Sequence, residues 1–364
     1  MSNTDMPSTM RAVLLLGHGD VDQLDYRDDV KAPSPEPDEV LIKVGACGMN
    51  NTDINTRIGW YSKSVAGATG DSVLTGDGDG SWGGGMSFPR IQGADPAGRI
   101  VGVGSKVDPA RIGERVICDA WLRDPSGDIE KAGYLGSERD GGFADYVTVP
   151  AVNAHAVDTE LTDVELASFP CSYATAEHML ERPGVSEGQW VVATGASGGV
   201  GGAIVQLARR RGAHTIAIAS ELKLERTAAA TGADHTLARQ DPELIDKIRD
   251  ITGGGTDVLA DVVAGEQFPE LFEVIRRGGH YTTAGAIAGP IVQLDVRTLY
   301  LHDLTMHGCT VLAPAVFANL VRYIEAGEIK PIVAGTYALP DLVEAQRAFI
   351  DKSAVGAYVI DMRA

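Results

Sequence analysis

The stretch Val191-Val-Ala-Thr-Gly-Ala-Ser-Gly-Gly-Val-Gly201 decides the fold of this 364-residue chain. It begins as an apolar, β-like run and leads into a glycine-rich turn. After the turn, Ile204, Leu207 and Ala208 recur on one face of a predicted helix, and Gly212 stands where a helix commonly ends. The sequence therefore predicts a strand, a tight turn and a helix in succession.

A turn of this kind suits the pyrophosphate of a dinucleotide. Gly198 and Gly199 let the backbone approach the phosphates, Gly201 lets the helix pack on the strand, and the helix N-terminus offers unpaired N–H groups. The first glycine of the usual G-x-G-x-x-G pattern is Ala196 here, and glycine turns also occur simply where chains bend sharply. The flanking strand and helix favour the cofactor interpretation. The residues predicted to bind the cofactor at this turn are Ala196, Ser197, Gly198, Gly199, Val200 and Gly201.

Composition and charge narrow the class of protein. The hydrophobic content of 44% is typical of a globular protein, and the length favours two domains. Fifty acidic residues against 31 basic ones give a formal net charge of -19, which repels nucleic acid and anionic membranes. No cationic leader precedes an apolar stretch, so the chain is predicted to be cytoplasmic. The four cysteines form no C-x-x-C pair and are interpreted as buried thiols.

The rhythm of predicted elements divides the chain in two. Short β-like runs broken by Gly, Pro and Asp extend from about 11 to 150 and predict a β-barrel-like domain. From about residue 162 strands alternate with helices, which predicts a doubly wound parallel sheet. One helix is expected to begin with Asp241 as N-cap and Pro242 as its first residue. The predicted strands of the parallel sheet are 190–194, 214–219, 235–237, 257–263 and 279–284.

Residues 62–92 differ from both halves because they are rich in Gly, Asp and Ser. Alternating Asp and Gly at 76–80 suggests calcium, but the glutamate spacing of an EF-hand loop is missing. We expect a surface loop, and its position after a candidate active-site segment makes it a candidate lid.

Over almost its whole length the chain resembles the medium-chain dehydrogenase/reductase superfamily. Gly45-Ala-Cys-Gly-Met-Asn-Asn-Thr-Asp53 is similar to the first active-site segment of that family, and Gly142-Phe-Ala-Asp-Tyr-Val147 to its domain-closing strand. The turn at 196–201 is similar to the A-x-G-G-V-G turn of the quinone oxidoreductase branch. The resemblance implies an α/β fold with a GroES-like β-barrel catalytic domain of residues 1–160, completed by 311–364, and a Rossmann nucleotide-binding domain of residues 161–310.

The resemblance also shows where the sequence departs from the zinc enzymes of the superfamily. At the positions that match their three catalytic zinc ligands, this chain has Asn50, Ala94 and Cys171. An amide and a methyl group cannot replace thiolate and imidazole around zinc. The sequence therefore predicts an enzyme without a metal. The alternative is an alcohol dehydrogenase with an atypical site, in which Cys171 is joined by Asp95 or His178.

Without a Lewis acid, hydride removal from an unactivated alcohol is difficult, because nothing stabilises the alkoxide. Hydride addition to a carbon–carbon double bond conjugated to a carbonyl is easier, since hydrogen bonds stabilise the enolate that forms. The zinc-free relatives are quinone oxidoreductases and enoyl-thioester reductases. The resemblance thus implies an NADPH-dependent, zinc-independent oxidoreductase that reduces quinones or α,β-unsaturated carbonyl compounds.

Candidate catalytic residues follow from the first segment. Its continuation to Tyr61 is similar to an enoyl reductase string with a tyrosine at this place, which implies Tyr61 as proton donor. The alternative is that Tyr61 only packs beside Trp60. Asn50 is expected to orient the substrate carbonyl, and Thr52 matches a proton-relay hydroxyl. Asp53 is interpreted as a structural hydrogen-bond acceptor.

Two further positions lie in the segment from Cys171 to Thr175. The resemblance implies that Thr175 touches the nicotinamide, and Tyr173 is a second choice for the acid.

The choice of cofactor depends on the end of the second strand of the parallel sheet. NAD-specific folds place a carboxylate there to bind the ribose 2′-hydroxyl, whereas this chain has Ser220. Lys223 stands where quinone oxidoreductases have a phosphate-binding lysine, and Arg239 is expected nearby. This pattern favours NADP(H). The neighbouring carboxylate of Glu221 argues against NADP(H). The alternative for Lys223 is a solvated helix residue with no role in binding.

The last predictions concern the oligomeric state and a role other than catalysis. Residues 303–312 are similar to the edge strand through which relatives pair, which implies a homodimer. The alternative to an enzyme is a protein of another functional class, a crystallin-like protein that binds NADPH without turnover.

Overall fold

A computed structural model describes residues 7–70 and 86–364 of the chain. In this part of the chain, antiparallel strands dominate the β-rich half, where β3 (Glu39–Met49) is the central strand of a seven-stranded sheet. It pairs antiparallel with β5 (Asp95–Val103), β9 (Tyr146–Pro150) and the late strand β18 (Ala357–Asp361). The end of the chain therefore returns to the first sheet and lies beside the segment that enters the candidate active site.

The other described strands of this half are β1 (Thr9–Leu15), β2 (Leu24–Lys31), β4 (Arg90–Ile91), β6 (Arg115–Cys118), β7 (Trp121–Leu122), β8 (Gly133–Tyr134), β10 (Ala154–Ala156) and β17 (Val333–Ala338). A smaller sheet has the order β2-β1-β4, and β7 and β8 form a separate hairpin.

The half predicted to bind the nucleotide contains a six-stranded parallel sheet in the order β13-β12-β11-β14-β15-β16. Its strands are β11 (Trp190–Ala193), β12 (His214–Ala219), β13 (His235–Ala238), β14 (Thr256–Asp261), β15 (Ile275–Thr283) and β16 (Thr305–Gly308). This is the doubly wound order 3-2-1-4-5-6, whose ligand crevice opens where the strand order reverses, beyond the carboxyl end of its first strand. The predicted α/β fold class is confirmed, and the glycine turn follows that first strand, β11.

Helices connect and cover the sheets. They are α1 (Asn51–Ile58), α2 (Asp163–Leu166), α3 (Pro170–Glu181), α4 (Gly199–Arg210), α5 (Leu224–Thr231), α6 (Leu244–Thr252), α7 (Phe268–Phe272), α8 (Val296–Leu301), α9 (Pro314–Glu325) and α10 (Leu342–Asp351). None of the described helices is long and apolar enough to cross a membrane.

The start of α6 differs from the prediction, because the helix begins two residues after Pro242. The carboxylate of Asp241 still accepts a hydrogen bond from the backbone N–H of Glu243, and its second oxygen pairs with Lys247. Asp241 therefore accepts a backbone hydrogen bond as a capping residue would, but in the turn that precedes α6.

The predicted lid is described only at its two ends, since residues 71–85 lie outside the described part of the chain. Its first end connects the two halves: the backbone N–H of Thr69 donates to the carbonyl of Ile287 at 3.0 Å. The indole N–H of Trp60 donates to the carbonyl of Gly67 at 3.0 Å. These contacts fix residues 60–69 along one side of the cleft.

Candidate active site

A deep cavity separates the start of α1 from the glycine turn. It encloses about 1050 Å³ up to its open mouth and is lined from both halves of the molecule. Among its lining residues are Asn50, Asn51, Thr52, Tyr61, Thr69, Trp121, Tyr134, Cys171, Ser172, Thr175, Gly198, Gly199, Val200, Gly201, Cys309 and Phe349. A dinucleotide at the turn would therefore present its reactive end to the α1 segment.

The glycine turn forms the start of α4 as predicted. Gly198 is the N-cap, and the N–H groups of the first turn have no helical carbonyl behind them. A Cβ on Gly201 would overlap the carbonyl oxygen of Gly195, so this glycine lets the helix approach the strand. A Cβ on Gly199 would overlap the hydroxyl of Ser172. Gly199 is thus required for the approach of α3 as well.

The two residues before Gly198 have different positions. Ala196 is fully buried and its N–H donates to the carbonyl of Ile218 at 3.0 Å, so its backbone belongs to the turn and it lines no described cavity. Ser197 lines a second cavity and accepts a hydrogen bond from the N–H of Gly356 at 3.0 Å. The return segment before β18 is therefore joined to the glycine turn.

Asn50 is held in place as the N-cap of α1. Its backbone N–H donates to Asp53 Oδ2 at 2.7 Å, and Asp53 Oδ1 accepts from the N–H of Gly93 at 3.2 Å. The side-chain amide of Asn50 donates to Asp95 Oδ2 at 3.0 Å, while its Oδ1 accepts from the hydroxyl of Ser172 at 3.4 Å. Asp53 has the structural role that was predicted, and Asn50 reaches the cavity in a fixed orientation.

Both carboxyl groups of this network are buried at the base of the site. Burial raises the pKa of Asp53 to about 7 and that of Asp95 to about 8. Hydrogen bonds from Asn50 and the N–H of Cys171 oppose the shift of Asp95 but do not cancel it. Asp95 therefore keeps its proton to a higher pH than an exposed aspartate does.

The positions that match zinc ligands carry an unsuitable donor set. Asn50 uses both ends of its amide in the network above, Ala94 is a buried methyl group, and Cys171 is the one thiol at these three positions. His178, a ligand in the alternative hypothesis, does not line the cavity. In residues 7–70 and 86–364, no three His, Cys, Asp or Glu side chains are grouped to hold a metal ion. These residues do not fit a catalytic zinc.

Two residues that carry hydroxyl groups line the cavity from the first segment and its continuation. Tyr61 lines it, and burial raises the pKa of its phenol, which therefore stays protonated. Its ring also packs edge-on against Trp60, with ring centres 5.7 Å apart, so the packing interpretation and the catalytic one describe the same position. Thr52 Oγ1 is buried in the cavity wall and has no hydrogen-bond partner among the described residues.

Helix α3 presents one face to the cavity. Cys171, Ser172 and Thr175 line it, whereas Tyr173 points elsewhere and donates from its hydroxyl to the carbonyl of Lys330 at 2.6 Å. The second choice for the acid is therefore wrong. At 100° per residue, Tyr173 lies about 200° from Cys171 around the helix.

Sequence reasoning missed the aromatic wall that the β7–β8 hairpin contributes. Trp121 and Tyr134 line the cavity with ring centres 4.8 Å apart, and the Tyr134 hydroxyl is hydrogen-bonded to the Cys171 thiol. No motif marks these residues, because they reach the cavity only through the hairpin fold.

The adenosine end of the predicted cofactor site is a second cavity of about 400 Å³ beyond β12. Ser220, Lys223 and Arg239 line it together with Ser197, and none of its described lining residues is acidic. Burial lowers the pKa of Lys223, and the charges of Arg239 and Arg226 lower it further. The structure thus brings the three predicted residues together in a basic site, and Glu221 stays exposed outside it.

Comparisons with known proteins agree with this architecture. Residues 36–159 match the alcohol dehydrogenase GroES-like domain, and residues 199–326 match the zinc-binding dehydrogenase domain. A crystal structure from Sinorhizobium meliloti 1021, described provisionally as an alcohol dehydrogenase, is 47% identical with a TM-score of 0.90, covering 98% of this chain and 97% of its own. The chain belongs to the medium-chain dehydrogenase/reductase superfamily of nicotinamide-dependent oxidoreductases, which confirms the resemblance.

More distant relatives carry different activities. The quinone oxidoreductase of Mus musculus is 26% identical, covering 94% of this chain and 95% of its own. The NAD-dependent alcohol dehydrogenase of Sulfurisphaera tokodaii is 27% identical, covering 96% of this chain and 99% of its own. Membership of the superfamily is therefore compatible with either nicotinamide cofactor and with more than one reaction.

Proposed function

We propose that this protein is an NADPH-dependent, zinc-independent reductase of quinones or α,β-unsaturated carbonyl compounds. The observation that carries the proposal is the wall opposite the glycine turn: it offers the hydroxyls of Thr52 and Tyr61 and an oriented Asn50, where a zinc enzyme needs metal ligands. Similarity to a quinone oxidoreductase over nearly the whole chain supports it.

The chain's own groups provide what such a reduction needs. When bound, the reduced nicotinamide supplies a hydride to the substrate. The aromatic wall of Trp121 and Tyr134 suits a planar conjugated substrate. Thr52 Oγ1 and Tyr61 then donate hydrogen bonds to the carbonyl oxygen, whose negative charge grows as hydride is added. Tyr61 finally gives up a proton, and solvent restores it.

Selectivity for NADPH rests on the basic cavity beyond β12. Lys223 and Arg239 supply two cations beside Ser220, in a chain whose net charge is otherwise -19. A 2′-phosphate would find local attraction there, and no described carboxylate lines the site to repel it. We expect kcat/KM for NADPH to exceed that for NADH by at least about tenfold, which corresponds to one charge-assisted hydrogen bond.

The position of hydride transfer tests the reaction. Metal-stripped enzyme is supplied with NADPH deuterated at both C4 positions and with a small acyclic enone, and the product is analysed by NMR. Deuterium on the β-carbon of a saturated ketone supports the proposal. Deuterium on the carbinol carbon would support direct carbonyl reduction instead.

Alcohol dehydrogenase activity is the second candidate, favoured by the likeness to the Sinorhizobium meliloti protein. It requires metal ligands other than those at the matched positions, so stoichiometric zinc in protein purified without added metal would favour it. Tight NADPH binding with no turnover of quinones, enones, enoyl thioesters or alcohols would favour the non-catalytic, crystallin-like role.

A further inference from the structure

We propose that Lys352, at the end of α10, is a cofactor-binding residue whose ammonium group holds the pyrophosphate of the dinucleotide. The inference rests on the dinucleotide binding assumed by the proposed function, but not on the preference for NADPH. Lys352 belongs to the segment between α10 and β18 and is far in sequence from the glycine turn.

The ammonium of Lys352 is held at the cleft by two lining residues. Its Nζ donates to Asn51 Oδ1 at 2.9 Å and lies 3.9 Å from the ring centre of Phe349. Asn51 and Phe349 both line the cavity that contains Gly198 and its neighbours. An ammonium has three donors, so two remain for a ligand while the bond to Asn51 persists.

The backbone of the same segment is tied to the nucleotide-binding half. Lys223 Nζ donates to the carbonyl of Lys352 at 2.7 Å, and Arg226 donates to the carbonyl of Ser353 at 3.1 Å. The N–H of Gly356 donates to the carbonyl of Ser197. Lys352 therefore has its carbonyl at the adenosine end and its ammonium toward α1, which places the charge beside the middle of a bound dinucleotide, where the pyrophosphate lies.

The charges around Lys352 favour an anion. No described carboxylate lies within 4.0 Å of its ammonium, and its cationic neighbour is Lys223. Burial of the ammonium and the charge of Lys223 lower the pKa of Lys352 to about 8. A phosphate group between these cations would relieve their repulsion and stabilise both charges.

The backbone at Lys352 gives a second reason to expect a function. Its φ of 55° lies in the left-handed region, where a helix commonly ends on glycine. A lysine at this position costs conformational energy that a glycine would not. The contacts of its ammonium with Asn51 and Phe349 are interactions that glycine cannot make.

The test measures equilibrium Kd for NADH and for NADPH without substrate, by titration of intrinsic fluorescence. We expect Lys352→Met to raise both Kd values by a similar factor of about ten, the value of one charge-assisted contact. Lys352→Arg should keep both within about threefold, and Lys31→Met on exposed β2 is the matched control. Lys223→Met should weaken NADPH more than NADH, because Lys223 is assigned to the 2′-phosphate but also holds the backbone of Lys352.

Lys352→Gly separates charge from folding. It suits the left-handed backbone, so its thermal stability should equal or exceed that of the wild type while both Kd values rise as in Lys352→Met. Unchanged Kd values in the two neutral variants would overturn the proposal, and so would a loss confined to NADPH, which would assign Lys352 to the 2′-phosphate. Equal wild-type affinity for NADH and NADPH would contradict the proposed cofactor preference and leave this test intact.

Discussion

Tyr61 packs its ring against Trp60, lines the cavity, and has its hydroxyl hydrogen-bonded to the side chain of Asn55. If it donates the proton, Tyr61→Phe keeps the packing against Trp60 and removes only the hydroxyl. We expect kcat to fall about 100-fold with little change in KM, as for loss of a general acid. Steady-state kinetics measure this, with Tyr300→Phe on the exposed surface as control. An unaltered kcat would remove Tyr61 from the mechanism.

The buried carboxyl of Asp95 predicts an unusual dependence of stability on pH. Its folded pKa of about 8 lies above the unfolded value of about 4, so the folded protein holds a proton that the unfolded chain releases. Stability is therefore lost as the pH rises from about 4 to about 8, by at most about 1.4 kcal/mol per pH unit for one group. Asp95→Asn, which cannot titrate, should flatten this decline.

Thermal unfolding of both proteins between pH 5 and 8.5 checks the effect of Asp95. The surface charges titrate alike in both proteins, so the difference between the two curves reports residue 95 together with its electrostatic coupling to Asp53. Parallel curves would show that Asp95 is ionised in the folded protein.

At the scale of elements, two glycines of the turn are expected to have different roles: Gly201 in folding and Gly198 in cofactor binding. Gly201→Ala places a methyl group against the carbonyl of Gly195 and should lower the melting temperature by several degrees. Gly198→Ala meets only the Gly195 carbonyl, at 3.4 Å, and its φ of -94° suits any residue. It should therefore fold normally but bind the cofactor more weakly. Melting curves and NADPH titrations of both variants decide this, and a Gly198→Ala protein with wild-type affinity would contradict phosphate binding here.

The same elements show what sequence can and cannot reveal. The strand–turn–helix unit was predictable because its glycines, apolar periodicity and flanking elements are local signals. Trp121, Tyr134 and Phe349 were not, because they reach the cavity through a hairpin and a return segment whose positions depend on tertiary pairing. Tyr173 was misplaced for a different reason: it lies two residues from both Cys171 and Thr175, which corresponds to about 200° around a helix and puts it on the opposite face of α3.

At the scale of the whole molecule, the cleft is assembled from distant parts of the chain. The α1 segment, the β7–β8 hairpin, the glycine turn and the segment after α10 all contribute to it. The β-rich half consists of an early and a late part of the chain, which are joined because β18 pairs with β3. This explains why residues about 300 apart, such as Asn51 and Lys352, share a hydrogen bond.

The edge of the parallel sheet predicts assembly. β16 is the outer strand, and Met306 on it is exposed, as are the apolar residues Tyr300 and Leu301 of the preceding helix α8. We expect a homodimer of twice the 38.3 kDa chain mass in sedimentation analysis. Met306→Lys should shift the protein toward monomer, whereas Leu222→Lys, an exposed apolar residue elsewhere, should not. A wild-type monomer would contradict this prediction.

The most direct test of the central claim is the rate of NADPH oxidation by metal-stripped enzyme over a panel of quinones, enones and secondary alcohol–ketone pairs. The account predicts turnover of a quinone or enone that survives chelation, with kcat/KM for NADPH at least about tenfold above that for NADH. Activity confined to alcohol–ketone pairs, and restored only when zinc is returned, would contradict it.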